Sequence, residues 1–271
     1  MAETDSFEVK NNEVFDCQEE GIDVKDHCSN GKVYGNLVHH VGSTGLYVDS
    51  WNRYTHDIEV FQNILHDVGD NAFAVASEDG GTLEDIYFYN NIAYNNRYVG
   101  LSVSANGLSG PMQDIYVVNN TFYDNGWTEW GGGIVVDNLN AQNVVIRNNV
   151  TSQNLYFQIA VNPGLPAQNV TIDHNLIDGY RDHADEGETR GNHYVESDPL
   201  FVHAAGANFR LQYNSPAIDA GSAADAPAQD FDGRSRPLDG DHDGLVSYDI
   251  GAYEMPYYSE HMYLPAILSG Y

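Results

Sequence analysis

Basic residues are scarce in this chain: 11 lysines and arginines stand against 40 aspartates and glutamates, a formal net charge of −29. A surface that acidic repels nucleic acid and anionic membranes, so neither is expected as a partner. It suits a medium in which calcium or salt screens the self-repulsion. Cysteine is almost absent. Cys17 and Cys28 leave room for one disulfide but settle no redox compartment. No stretch of roughly 18 apolar residues occurs, so no membrane span is expected. No signal peptide is visible, and the opening MAETD reads as a start placed on a mature or trimmed chain. A Ser/His/Asp order, a phosphate-binding glycine loop and a cysteine metal motif are also missing. Aromatic residues, by contrast, make up 12% of the chain, and the charges are scattered rather than run together, which excludes a disordered acidic tail.

What fills the chain is a repeat. Asparagines recur at Asn12, Asn36, Asn63, Asn91, Asn120, Asn149 and Asn175, at spacings of 24 to 29. Three residues before each stands an apolar side chain: Val9, Val33, Val60, Phe88, Val117, Ile146 and Ile172. A second short run in each repeat holds a valine at one fixed position, Val24, Val48, Val75, Val103, Val136 and Val161. Two residues before each valine stand Ile22, Leu46, Phe73, Leu101, Ile134 and Ile159. Period-2 alternation in runs too short for helices argues for strands. Strands in repeats of about 25 residues fit a parallel β-helix, whose coils stack at ~4.8 Å. The asparagine column then has a physical reason. At a sharp turn, each side-chain amide can bond the next one up and the bent backbone beside it. The expected fold is all-β: a right-handed parallel β-helix of about seven coils with an irregular C-terminal cap.

The repeat occupies residues 1–197 and weakens at 176–197, where HADEGETRGNHYVE is polar and lacks inward positions, as in a loop or inserted arm. From Asp198 the text changes to DPLFVHAAGANFRLQYNSPAIDAG and then DFDGRSRPLDGDHDGLVSYDIGAYE, giving a cap segment at 198–254 continuous with the same domain. A tail rich in tyrosine and proline follows at 255–271. The cap resembles the closing segment of many secreted bacterial right-handed β-helix proteins, where it covers the last coil. With the coils, nearly the whole chain resembles the pectate-lyase-like β-helix superfamily. That resemblance implies a carbohydrate-active protein that is extracellular, either secreted or associated with the cell surface. It does not select a reaction, because the superfamily includes lyases, hydrolases, epimerases and proteins with no known catalysis.

Stacking the coils on the valine column brings Lys25 and Asp49 into one ladder, with Trp51 and Glu78 in another two residues on. Strand geometry puts the Asp49 and Glu78 backbones ~8 Å apart. Carboxylates at such a distance suit an acid/base pair with a water between them, or a shared calcium ion. Lys25 and Arg53 are placed to neutralise a uronate or abstract its α-proton, as lysine and arginine do in polysaccharide lyases of this fold. Tyr47, Trp51 and Asp79 are the expected substrate contacts beside them. Trp127, Trp130 and Asp137 are the expected contacts farther along, where TEWGGG lengthens the fifth coil into a groove wall. Outward positions on a β-helix are polar by default, so a solvated face is the competing reading. His39, His40, His66 and Asp67 offer metal ligands, but a stack of polar side chains covering a turn explains them better.

Asp239-Gly-Asp241-His-Asp243-Gly244 matches the front half of an EF-hand-type calcium loop, with the Leu245 carbonyl and Asp249 as later ligands. The closing glutamate is absent, since that position is Ile250. The ion expected is calcium in a structural role. The leading functional expectation is a lyase acting on an acidic, uronate-containing polysaccharide by β-elimination. A glycoside hydrolase using the carboxylate pair and a non-catalytic glycan-binding or surface module are the alternatives. The first coil, which has no cap helix before it, suggests a monomer or a weak homo-oligomer through that edge.

Overall fold

The computed structural model describes residues 1–127 and 130–256. Thr128, Glu129 and the tail from residue 257 lie outside the described residues. The chain is a right-handed parallel β-helix built from three sheets. The first sheet stacks seven strands from Asp5–Lys10 to Val170–Asp173, and the second stacks eight from Glu13–Phe15 to Val195–Glu196. The third stacks six, from Ile22–Val24 to Phe157–Val161. Six coils are therefore complete on all three sides, one fewer than expected. After Leu176–Asp178 the chain leaves the helix, and it rejoins the second sheet at Val195–Glu196. This polar excursion stands where a seventh third-sheet strand would run. Among the described residues there is no α-helix, and none that is long and apolar enough to cross a membrane.

Strand pairing places the valine column in register, Val24 beside Val48, Val75, Val103, Val136 and Val161. The first five are fully buried, as are Val33, Val60, Phe88, Val117 and Ile146 across the core. Burying each such side chain contributes ~1.5–3 kcal/mol. The asparagine ladder is continuous. Asn36 Oδ1 accepts from Asn12 N (3.0 Å) and Nδ2 (2.9 Å), and the pattern repeats up to Asn175 Oδ1, which accepts from Asn149 N (2.9 Å) and Nδ2 (3.1 Å). The repeat reading did not anticipate a second, shorter ladder at the next turn. There Asn96 Nδ2 donates to Asn125 Oδ1 (2.8 Å), and Asn125 Nδ2 to Asn154 Oδ1 (2.9 Å).

The C-terminal segment does not lie over the last coil. Phe201–His203 and Asn208–Leu211 pair as an antiparallel hairpin, and the chain then runs back along the outside of the second sheet. Phe209, Leu211, Ile250 and Tyr253 pack there against Ile92, Val150 and Leu176. A column of turn side chains carries this strap. Gln62 Nε2 donates to the Asp230 and Phe231 carbonyls (3.1 and 3.0 Å), and Asn90 Nδ2 to Gln229 O (2.7 Å). Asn119 Nδ2 donates to Asp249 O (2.9 Å) and Gly251 O (3.1 Å), and Asn148 Nδ2 to Ser222 O (2.8 Å). All four residues have left-handed backbone, φ 52° to 55°, a conformation that asparagine, present at three of the four positions, adopts more readily than most other side chains.

Candidate functional site

On the third sheet Leu46 and Val48 face the core, so Tyr47 and Asp49 face out. Register carries these two outward positions along the sheet. One column runs Asp23, Tyr47, Ala74, Ser102, Val135, Ala160. In the column two residues on, Asp49, Ala76 and Ser104 are paired strand to strand, with Lys25 before them and Asp137 and Asn162 after. From Asp49 to Asp137 is three coil steps, ~14 Å at strand spacing.

At the early end, Lys25 Nζ lies 3.0 Å from Asp49 Oδ2 and 3.3 Å from Asp23 Oδ2, and Asp26 N donates to Asp49 Oδ1 (3.2 Å). The Asp49 side chain is 0% exposed, although an outward carboxylate was expected to meet solvent. Its neighbours close over it. Burial pushes its carboxyl up, while Lys25 and the Asp26 N–H pull it back, and the balance stands at about 6. Burial works against the Lys25 ammonium, but Asp49 and Asp23 outweigh it and raise its pKa above the usual range. Glu78 does not touch Asp49; the Tyr47 hydroxyl donates to its Oε1 at 2.6 Å. Arg53 is turned toward the first coil, paired with Glu3 and lying 3.6 Å from Asp26. Trp51 is half-exposed, and Asp79 is exposed with its backbone N–H on Trp51 O (2.6 Å). The geometry thus joins Lys25 with Asp49 and Tyr47 with Glu78, and leaves Arg53 apart.

At the far end of the same face lies a cleft of about 350 Å³ lined by Ser102, Ser104, Trp130, Asp137, Asn162 and Glu186, among others. Trp130 packs edge-on against Phe157 at 5.4 Å, and its Nε1 donates to Glu186 Oε2 (3.4 Å). Asn162 Nδ2 donates to Asp137 Oδ1 (2.7 Å), and the Ser102 and Ser104 hydroxyls are 2.7 Å apart. Trp127 is not in this cleft; its Nε1 donates to Asn95 Oδ1 (3.0 Å) at the preceding turn. The repeat reading missed Ser104 and Asn162, although advancing one residue past the valine column reaches both. Glu186 comes from the excursion, and no periodicity points to it.

The histidines of the other turn stack as a cover: Phe15, His39, His66 and Tyr94 follow one another at 5.3, 5.1 and 4.9 Å between ring centres. In the acidic loop, carboxylate oxygens of Asp219, Asp239 and Asp241 lie within 4.8 Å of one another. Asp219 Oδ1 and Asp239 Oδ1 are buried with no hydrogen-bond partner, an arrangement that fits a hard cation. Asp249, expected among the ligands, is instead inside the cap, where its oxygens accept from Asp219 N (2.8 Å) and Met255 N (2.6 Å). The strap folds Asp249 inward, and Asp219 stands at the loop in its place. Asp241 Oδ1 and Asp243 Oδ1 accept from the loop's own N–H groups, while Leu245 is exposed.

Residues 1–91 match a family model described as a right handed beta helix region. No curated protein matches the chain. Among solved structures it is similar to the pectate lyase Pel9A, with 15% identity and a TM-score of 0.43 over 88% of this chain and 73% of that one.

Proposed function

We propose that the protein binds and processes a polysaccharide laid across the outer face of the third sheet. The observation that carries this reading is the single outward column from Lys25 and Asp49 to Asp137 and Asn162. Polar groups and aromatic side chains stand at both ends of it; between them Ala76 is buried beside Tyr47 and Ala74, and Ser104 lines the far cleft. Hydrolysis by the carboxylates fits the site better than β-elimination. Lys25 is held charged by two aspartates and Arg53 is engaged by Glu3 and Asp26, so neither is a ready base. Asp49, at about 6, is protonated often enough near neutrality to serve as an acid. Glu78, oriented by Tyr47, is the partner carboxylate. A net charge of −29 also favours a neutral glycan over a polyuronate. The full burial of Asp49 favours a second reading, a glycan-binding module without turnover.

One incubation series separates these readings. Neutral glycans, pectate and alginate are each treated with the protein, following new reducing ends and unsaturated uronate absorbance. Reducing ends without absorbance, abolished in Glu78→Gln, are expected. Absorbance on a uronate polymer would restore elimination, and binding without new ends would leave the module. No binding to any of them would sink the proposal. The same reading includes a structural calcium ion held by Asp219, Asp239 and Asp241, and a place outside the cell where calcium is abundant.

A further inference from the structure

We infer that Asp173, His174 and His193 form a binding site for a divalent transition metal where the excursion rejoins the helix. His174 continues the turn column of Gln62, Asn90, Asn119 and Asn148, and the pairing of Leu176 with Val195 sets His193 beside it one coil on. The earlier members hold the strap. These last two are imidazoles, and both have left-handed backbone, φ 51° and 43°. Their rings stack at 4.9 Å with 30° between planes.

Both Nδ1 atoms converge on one carboxylate: His193 lies 2.7 Å from Asp173 Oδ1 and His174 2.8 Å from Asp173 Oδ2. The three ligand atoms all lie within 4.8 Å of one another. His174 Nδ1 is buried and, despite its proximity to Asp173, makes no hydrogen bond of acceptable geometry. Two imidazole nitrogens and a carboxylate oxygen are a donor set for zinc, copper or nickel rather than calcium. Arg147 Nε stands 3.7 Å from Asp173 Oδ2, but its Nη1 is paired with Asp225, which offsets its charge. The His193 side chain is 73% exposed, leaving an entry path and an open coordination position.

The site has a structural consequence. The excursion carries Glu186 to the Trp130 cleft. One end of it is held by Glu188, which accepts from Gln158 N (3.0 Å), Arg181 N (3.1 Å) and His183 N (3.1 Å). A metal ion bridging His193 to Asp173 and His174 fixes the other end, and with it one wall of the cleft.

The test uses the full chain without an added histidine tag, stripped of metal and titrated with Co²⁺ while recording visible absorption. One Co²⁺ per chain is expected, unaffected by excess Ca²⁺. His193→Ala, at an exposed position, should keep the thermal melt of the apoprotein yet lose the spectrum. Its affinity should fall by more than the ~10–100-fold typical of a partner outside the coordination shell. His40→Ala should bind as the parent does. No uptake, uptake unaffected by His193→Ala, or a spectrum lost in His40→Ala instead would overturn the assignment.

Discussion

Replacing Asp49 with asparagine tests the electrostatics of the buried pair. The substitution keeps the shape of the side chain and an oxygen for the Asp26 N–H, but it removes the titration. In the folded protein the Asp49 carboxyl stands at about 6 against an ordinary 3.8, chiefly through burial. That displacement corresponds to ~3 kcal/mol, because each pH unit between the two values carries ~1.4 kcal/mol. The sign follows from proton binding. The native state holds this proton more tightly than the unfolded chain, so the group favours folding fully below pH 3.8. That advantage drains away as pH rises from 3.8 to about 6 and is gone above it. Lys25, whose pKa is raised, stays charged throughout this window and contributes no slope. In the variant it retains Asp23 at 3.3 Å. Urea denaturation of both proteins from pH 4 to pH 7, which covers most of that window, should therefore show the parent losing ~2.4 kcal/mol relative to Asp49→Asn. Carboxyls remote from the pair cancel in the difference, and Asp23, which shares Lys25, is the one neighbour whose titration the substitution changes. A constant difference across the range would refute the reasoning and mean that Asp49 is ionised as easily in the folded chain as in the unfolded one.

The ladder predicts a position-dependent cost. Asn120→Ala strips the acceptor from Asn91 N (2.8 Å) and Nδ2 (3.0 Å), leaving two buried donors unsatisfied. The expected loss is ~3 kcal/mol by chemical denaturation, against under ~1 kcal/mol for Asn12→Ala at the exposed first coil. Equal losses would show that the ladder is not the source. For the acidic loop, calcium at about one hundred times its Kd should stabilise the chain by ~2.7 kcal/mol. Chelation should reverse this, and Asp239→Asn should abolish the response. Melting temperatures indifferent to calcium would remove the ion from the account.

The coils were legible because a strict repeat makes each residue vote with its equivalents. Val48 alone says little, but six valines at one position fix the inward face and the register. The same arithmetic placed Lys25 beside Asp49. It failed where a residue answers to something outside the repeat. Asp49 is outward by parity yet 0% exposed, with the Lys25 ammonium and the Asp26 backbone N–H against its carboxylate, and alternation does not encode cover by neighbours. Gln62, Asn90, Asn119 and Asn148 read as ordinary turn residues until the strap arrives from more than 70 residues away. That strap also explains why Asp219 rather than Asp249 stands at the acidic loop. Glu186 and His193 belong to an excursion with no periodicity, and only the folded chain shows what they meet.

Solenoids usually hold together by nearest neighbours alone, so they can lengthen, shorten or fray one coil at a time. The amide column changes that for this chain. Gln62, Asn90, Asn119 and Asn148 sit on four successive coils and grip carbonyls spread along one returning segment. The segment acts as a ruler laid against the stack. A coil inserted or deleted between Gln62 and Asn148 would throw every grip beyond it out of step by ~4.8 Å. Coils before Gln62 carry no such constraint. Coils added or removed before Gln62 are therefore expected to be tolerated where those between Gln62 and Asn148 are not, and the gripped block is expected to unfold as one unit rather than unzip from its end.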